Sequence, residues 1–235
     1  MQQLTSVLLE ERIEADKKGK SRPVVYTSTN KRVSCHERDC KLELHCFYTT
    51  EDEPEIRAGL CQGCGRDLID WDRHRQRNPG DLEYTVEALQ REWIRHLYWT
   101  CVVDPETQRM VRMRGCRKLL EMFRSAMTSH LAQREPFRDG WAVAYNGDPI
   151  HYIRHATASC CRRCASYWHG IEMAVEMPGD QIDYLVALAE RFILERFPDC
   201  SAEPDPTYRK GGINSNQPRV SPGRRRRRQG RVLEP

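Results

Sequence analysis

The chain has 235 residues, of which 39% are hydrophobic and 31% charged, proportions that are ordinary for a soluble globular protein. No apolar run approaches the roughly 18 to 20 residues of a membrane-spanning helix, and the first residues lack the basic start and apolar stretch of a secretory signal. We therefore expect a cytoplasmic protein with no membrane partner, whose eleven cysteines are better explained by metal than by disulfides.

The net charge of +4 is unevenly distributed along the chain. Residues 201–235 contain nine Lys and Arg against three Asp and Glu, so this tail carries +6 and the remaining residues sum to −2. The basic character therefore belongs to the tail, and the rest of the chain does not indicate a nucleic-acid surface through its net charge.

The N-terminal third combines a weak helical pattern with a β-branched segment. Residues 1–20 predict a short helix or a loose arm, because a weak apolar periodicity is followed by a polar run. The next segment, RPVVYTSTNKRVSC at residues 22–35, leads into the first cysteines. We expect short strands around a zinc knuckle here.

From Asp81 the apolar positions adopt the period of a helix. One stripe, with spacings of four, three, four and four residues, consists of Leu82, Val86, Leu89, Trp93 and Leu97. Asp81 is predicted to cap the helix, because its carboxylate can accept a hydrogen bond from an unpaired backbone N–H.

Two further helices are predicted in the C-terminal half. One covers about Arg117–Leu131, and the other runs from Asp180, as its cap, to Phe197, before Pro198. Between them, residues 141–152 mix polar and apolar side chains with glycine and proline, which favours loops or a short strand pair.

These elements predict a mainly helical α+β protein, in which a small zinc-ribbon-like β module precedes a helical zinc-binding domain. The tail is rich in Pro, Gly and Arg and is predicted to be disordered. The predicted divisions are 1–20 for the arm, 21–80 for the ribbon-like module, 81–116 for a connecting helix and loop, 117–200 for the helical motif domain and 201–235 for the tail.

The first cysteine cluster has a spacing close to that of a zinc ribbon. Its CQGCG knuckle contains glycines that permit the tight turn needed to aim two thiolates at one ion. The predicted ligands are Cys35, Cys40, Cys61 and Cys64. The residues that stay open as substitutes are Cys46, His36 and His45. Four protein ligands leave no open position, so we expect a structural site.

The second cluster lies in the stretch HATASCCRRCASYWHGI. The predicted ligands are His155, Cys161, Cys164 and His169, with Cys160 as the alternative. If RRCASYWHGI is helical, its two CxxC thiols share a face, and His155 comes from the preceding loop. The competing interpretations are a core thiol pair beside a hydrogen-bonded histidine and a redox dithiol, although the βαβ context of the latter is not found.

A catalytic zinc at the second cluster is an alternative. Three ligands and a water would suit a hydrolase, with His169 or His151 as the proton shuttle. The chain has no HExxH pair, and Thr157 stands where a nucleobase deaminase has a glutamate.

An arginine run in the tail would bind phosphate backbones without sequence preference, in a salt-dependent manner. It comprises Arg224, Arg225, Arg226, Arg227 and Arg228. A solvated run without a partner is the alternative interpretation.

Residues of about 117–198 resemble a family of small bacterial proteins known only as a domain of unknown function. The stretches that carry the resemblance are REPFRDG, NGDPIHYIRHATASCCRRCASYWHGI and QIDYLVAL, and the hallmark is HATAxCCRxCxxxWHxI. This chain departs from the family at Trp141 and Ala142, where the family has Lys-Gln, and in EMAVEMPGD after the motif. The resemblance implies one unified His/Cys motif and no particular activity.

The sequence thus predicts a cytoplasmic bacterial zinc protein with two zinc sites that acts as a binding or adaptor module, with nucleic acid as its partner. One alternative is the zinc-dependent hydrolase. The other is a protein-interaction scaffold built on an exposed Trp-rich helix from Glu92 to Trp99.

Overall fold

The computed structural model describes residues 35–47, 59–137, 139 and 147–205. Seven α-helices occur among them, numbered α1 to α7 in chain order: Trp71–Arg75, Leu82–Leu89, Trp93–Thr100, Pro105–Ala126, Pro149–Ala156, Arg162–His169 and Gly179–Arg196. Short 3-10 turns cover Cys40–Leu42 and Pro79–Asp81, and α4 continues into a π turn at Met127–Leu131. The mainly helical character is confirmed.

The zinc-ribbon β module is not found in the described residues. Pairing there is limited to isolated bridges, which join Asp39 to Leu44, His45 to Glu92 and Leu60 to Asp67. The 3-10 turn at Cys40–Leu42 and the left-handed Glu43 reverse the chain, so residues 35–47 do not extend into a strand. The arm, most of the β-branched segment and the tail beyond residue 205 lie outside the described residues.

The predicted helix from Asp81 to Leu97 is two helices, because backbone groups between them pair with the N-terminal segment. The His45 N–H donates to the Arg91 carbonyl at 2.8 Å, and the Trp93 N–H donates to the His45 carbonyl at 2.9 Å. Asp81 precedes α2 without capping it through its side chain, because its carboxylate binds the Arg73 guanidinium. The segment that carries first-cluster residues is thereby tied to the start of α3.

Helix α4 is longer than the predicted Arg117–Leu131 helix and crosses the predicted boundary between residues 116 and 117. Asp104 caps it by accepting from the Thr107 N–H at 2.8 Å, and Pro105 occupies its first turn. The helix is interrupted at Gly115, whose φ is +73°. The segment that begins at Ser201 lies against this break, since the Cys116 N–H donates to the Ser201 carbonyl at 2.8 Å.

Cys116 and Cys200 are neighbours, and their Cα atoms are 5.7 Å apart, within the range that a disulfide spans. Neither belongs to a Cys/His group of the described residues, so the expectation that metal explains the cysteines does not extend to this pair. Their proximity results from the docking of residues 200–205 along α4, which also includes a hydrogen bond from the Asp205 N–H to the Arg112 carbonyl.

Two predictions about the remaining helices are corrected. Residues 149–152 belong to α5 and not to a loop or strand pair, because Asp148 caps that helix by accepting from the Ile150 N–H at 2.8 Å. Helix α7 begins at Gly179 without a side-chain cap, and Asp180 lies in its first turn. Its predicted end at Phe197 is close to the observed end at Arg196.

Two hydrophobic clusters form the interior. In the larger one, α3 packs against α5, and α4 packs against both α5 and α7. The smaller one joins the N-terminal residues to α6 through Phe47, whose ring meets the rings of Trp71 and Trp168 edge-on, each at 5.8 Å. Helix α3 is thus central and not exposed: Trp99 is 2% accessible and Trp93 packs partly buried against the core.

Candidate metal centres

The first centre consists of three cysteines and one histidine whose ligand atoms all lie within 4.8 Å of one another. They are Cys40, His45, Cys61 and Cys64. Cys40 and Cys61 sulfurs are 3.7 Å apart, and His45 Nδ1 lies 3.3 Å from the Cys61 sulfur and 3.6 Å from the Cys64 sulfur.

These separations match the edges of a zinc tetrahedron. Zn–S bonds of about 2.3 Å and Zn–N bonds of about 2.0–2.1 Å place two sulfurs about 3.8 Å apart, and a sulfur and a nitrogen about 3.6 Å apart. The first cluster therefore has both the donors and the spacing of a four-coordinate site.

The CQGCG sequence folds into the knuckle that brings its two thiols together. The Gly65 N–H donates to the Cys61 carbonyl at 2.8 Å, and the Gly63 N–H donates to the Cys61 sulfur at 3.4 Å. A Cβ at Gly63 would lie 2.9 Å from the Cys40 sulfur, so a side chain here would displace a ligand. The glycine requirement is thus steric.

A carboxylate orients the histidine of the first centre. His45 turns Nδ1 toward the sulfurs and Nε2 toward Glu43 Oε2 at 3.4 Å, and Arg66 binds the same oxygen at 2.5 Å. Ligation through Nδ1 leaves the proton on Nε2, which then donates to the carboxylate. A metal-binding imidazole usually has a carboxylate or carbonyl partner of this kind on its other ring nitrogen.

The three thiols of this centre do not share one electrostatic environment. A hydrogen bond from the Arg66 backbone lowers the pKa of Cys64 to about 6, which favours the thiolate that binds metal. Burial and the neighbouring Cys61 thiol raise the pKa of Cys40 to about 12.

Two cysteines predicted for the first centre lie elsewhere. Cys35 is not in the group, and His45 takes the place predicted for it. Cys46, the alternate, is fully buried and donates its thiol to the Cys35 carbonyl at 3.1 Å. The 3-10 turn at Cys40–Leu42, followed by the left-handed Glu43, reverses the chain so that His45 faces Cys61.

The second centre brings together Cys160, Cys161 and Cys164, whose sulfurs lie within 4.8 Å of one another. Cys161 is the N-cap of α6, and its sulfur accepts from the Cys164 N–H at 3.3 Å. Cys160, predicted as the alternate ligand, is a full member of the group, and both it and Cys164 are buried.

A buried guanidinium supports the second centre. Arg95 donates to the Cys164 sulfur at 3.3 Å and contacts the Cys160 sulfur at 3.8 Å. It also donates to Glu92, whose same oxygen accepts from the Trp168 indole at 2.8 Å. A positively charged hydrogen-bond donor favours the thiolate form of a cysteine over the thiol. Sequence reasoning did not identify Arg95, although its position three and four residues before Tyr98 and Trp99, on the same helix face as these aromatic rings, was a signal.

The two predicted histidine ligands are not in the group of three sulfurs. His169 is fully buried, with Nε2 2.8 Å from the Thr157 carbonyl and Nδ1 3.2 Å from the Tyr184 hydroxyl. Both ring nitrogens are thus engaged, and the structure does not bring His169 into the group. His155 lies in the last turn of α5, not in a loop; its ring stacks on Tyr98 and contacts the Cys160 thiol.

Other features of the described residues lie away from these centres. A cavity of about 370 Å³ is bordered by α3, α4 and the end of α7, and no residue of either centre lines it. None of the helices described here combines the length and apolar character that a membrane crossing requires. Arg224 to Arg228 lie outside the described residues.

Residues 83–194 match the sequence model of a family described as a domain of unknown function, DUF4186. The match spans α2 to α7 up to Leu194 and includes the second centre. The resemblance to a domain-of-unknown-function family is therefore confirmed for this part of the chain. No solved structure matches the chain. All four residues of the first centre lie before the matched region.

Proposed function

We propose that this chain is a zinc-binding protein whose two centres are structural and which acts as a binding or adaptor module for nucleic acid. The observation that supports this proposal best is the first centre, where four protein donors with tetrahedral spacing leave no position for a substrate. Such centres provide rigidity, and function then belongs to the surface that they hold in place.

The nature of the donors favours zinc. Thiolates with one imidazole in a tetrahedral arrangement suit Zn²⁺, whereas magnesium and calcium prefer oxygen ligands. The Glu43 carboxylate, which contacts the other ring nitrogen of His45, orients the imidazole and strengthens it as a ligand.

The proposed nucleic-acid contact is the arginine run Arg224–Arg228. The tail carries +6 while the remaining residues sum to −2, so attraction to phosphates is concentrated in one short segment. Binding of this kind is sequence-independent and strongly salt-dependent. The bacterial origin and the cytoplasmic location remain predictions.

A salt titration tests this role. Full-length protein would bind a fluorescent DNA duplex at several salt concentrations, in parallel with a variant in which Arg224 to Arg228 are all glutamine. We expect the slope of log affinity against log salt to decrease by up to about 4.5, if each arginine neutralises one phosphate. The matched control replaces the same five residues with lysine and should keep most of the slope. Equal slopes for the glutamine variant and the native protein would contradict the proposal.

The hydrolase alternative loses support from two observations. His169, one of its proton shuttles, uses both ring nitrogens in the protein interior. The Cys160 and Cys164 sulfurs are buried, and the cavity described above does not reach them. The scaffold alternative required an exposed Trp-rich helix, whereas α3 is central to the core.

A further inference from the structure

The position of Cys35 is the starting point. This residue precedes the family domain and is separated from the first centre, where its sequence spacing suggested it would bind. Its thiol interacts with the Cys164 thiol, and its side chain packs against the larger hydrophobic cluster. Its carbonyl accepts a hydrogen bond from the Cys46 thiol at 3.1 Å. Cys35 therefore lies beside the second centre.

The second centre needs one more donor. Three sulfurs are grouped there, and a structural zinc site takes four protein ligands. Two residues that could supply this donor contact the group, Cys35 and His155. The His155 ring is stacked on Tyr98 at 4.8 Å and 14°, and Arg95 binds its carbonyl at 2.7 Å, so both its ring and its backbone are fixed. Cys35 lies on a turn, and its thiol already contacts the Cys164 thiol.

The charges around the group also suit a fourth thiolate. Arg95 contacts the sulfurs of Cys160 and Cys164 and lies close enough to Cys35 to attract its thiolate. A second buried guanidinium, that of Arg154, donates a hydrogen bond to the Cys160 carbonyl at 2.9 Å. Two positive charges against the cluster offset the negative charge of thiolates around a divalent ion.

We infer that Cys35 is the fourth ligand of a four-cysteine zinc site with Cys160, Cys161 and Cys164. This inference rests on the proposed zinc centres and gives the second one a complete ligand set. The segment of residues 35–47 then supplies ligands to both ions: Cys35 to the second, and Cys40 and His45 to the first. Metal binding would thereby fasten this segment to the CQGCG knuckle through the first ion and to the family domain through the second.

Cobalt substitution of the full-length protein tests the assignment, because the absorption of tetrahedral Co²⁺ reports its sulfur ligands. We expect Cys35→Ser to weaken the second cobalt equivalent at least about 100-fold and to remove about a quarter of its thiolate charge-transfer absorbance, since one of four sulfurs is lost. Cys35→His should restore tight binding, with the visible bands shifted as nitrogen replaces sulfur. Cys101→Ser, which changes a buried free thiol that belongs to neither centre, is the control and should keep the native spectrum.

The variant His155→Gln leaves Cys35 in place and tests independently whether His155 is the fourth ligand instead. A native spectrum for this variant supports the inference, and a shifted spectrum overturns it. Two tightly bound equivalents with native spectra in both Cys35 variants would also overturn it while leaving the two zinc centres intact. Native protein that binds a single equivalent would instead refute the second centre itself.

Discussion

At the scale of single residues, His74 is an imidazole enclosed by aromatic rings. It is 1% accessible, stacks on His169 at 5.5 Å and meets the Trp168 ring at 5.3 Å. Neither ring nitrogen has a hydrogen-bond partner among the described residues. Burial, with smaller contributions from His169 and Arg75, lowers the pKa of His74 to about 2. The folded protein therefore holds this ring neutral.

This pKa predicts a loss of stability in acid. The unfolded chain takes up a proton at its ordinary pKa of about 6.5 and the folded chain does not, so stability is complete above that pH and falls by about 1.4 kcal/mol for each unit below it. We expect His74→Phe to remove this part of the slope between pH 6 and pH 5, measured by denaturant unfolding. A variant that loses stability in acid as steeply as the native protein would contradict the assignment.

Glu43 gives a second prediction at this scale, because it orients His45 from outside the first centre. Removal of an outer-shell partner usually weakens metal binding by 10- to 100-fold. We expect Glu43→Gln to lower the zinc affinity of the first centre by about that factor, measured by competition with a chelator. Glu37→Gln, which alters an exposed carboxylate on the same segment, is the matched control and should leave the affinity unchanged.

The ligand residues show which parts of a site can be predicted from spacing. CQGCG and CCRRC place thiols within a few residues of each other, so local geometry alone brings Cys61 to Cys64 and Cys161 to Cys164. The partners from distant segments depend on the path of the chain between them. His45 takes the place predicted for Cys35 because a left-handed turn at Glu43 redirects the segment, and no spacing rule indicates that turn.

At the scale of elements, apolar periodicity predicted where helices occur better than where they end. The helical stripe from Leu82 to Leu97 exists, but α2 and α3 are separated because the His45 backbone competes for the groups between them. Similarly, α4 extends upstream of its predicted start because Asp104 caps it. The His45 contacts come from a distant part of the chain and are not contained in a local pattern, whereas Asp104 followed by Pro105 is a local signal of a helix start that the prediction missed.

The break in α4 yields a prediction for Gly115. Its φ of +73° is disfavoured for other residues, and a Cβ there would lie 2.6 Å from the Glu203 carbonyl carbon. We expect Gly115→Ala to lower the free energy of unfolding by about 2–4 kcal/mol, from backbone strain and displacement of the docked segment.

Gly147→Ala is the matched control for this variant. Gly147 has a φ of +81° but no atom within 4 Å of the added Cβ, so this substitution tests the strain alone and should cost about 1 kcal/mol. Equal losses in the two variants, followed by chemical unfolding, would show that the docked segment contributes nothing at Gly115.

At the scale of the whole molecule, the described N-terminal residues pack against the domain that matches the family. Phe47 and Cys61 share a hydrophobic cluster with Trp168 of the family domain, and Arg77 donates to the His169 carbonyl at 2.8 Å. The predicted domain boundaries remain a hypothesis, but the packing couples the first centre to the matched domain. Composition could not indicate this coupling, because it depends on a few aromatic side chains meeting across the fold.

The metal content of the full-length protein tests the central claim most directly. Protein purified without added metal, with its zinc measured by elemental analysis and its concentration by amino-acid analysis, should contain two zinc ions per chain. Chelation should release both ions and lower the thermal stability, because metal binding contributes to folding at such sites. Protein that contains no zinc, and whose stability does not change when zinc or chelator is added, would contradict the existence of both centres.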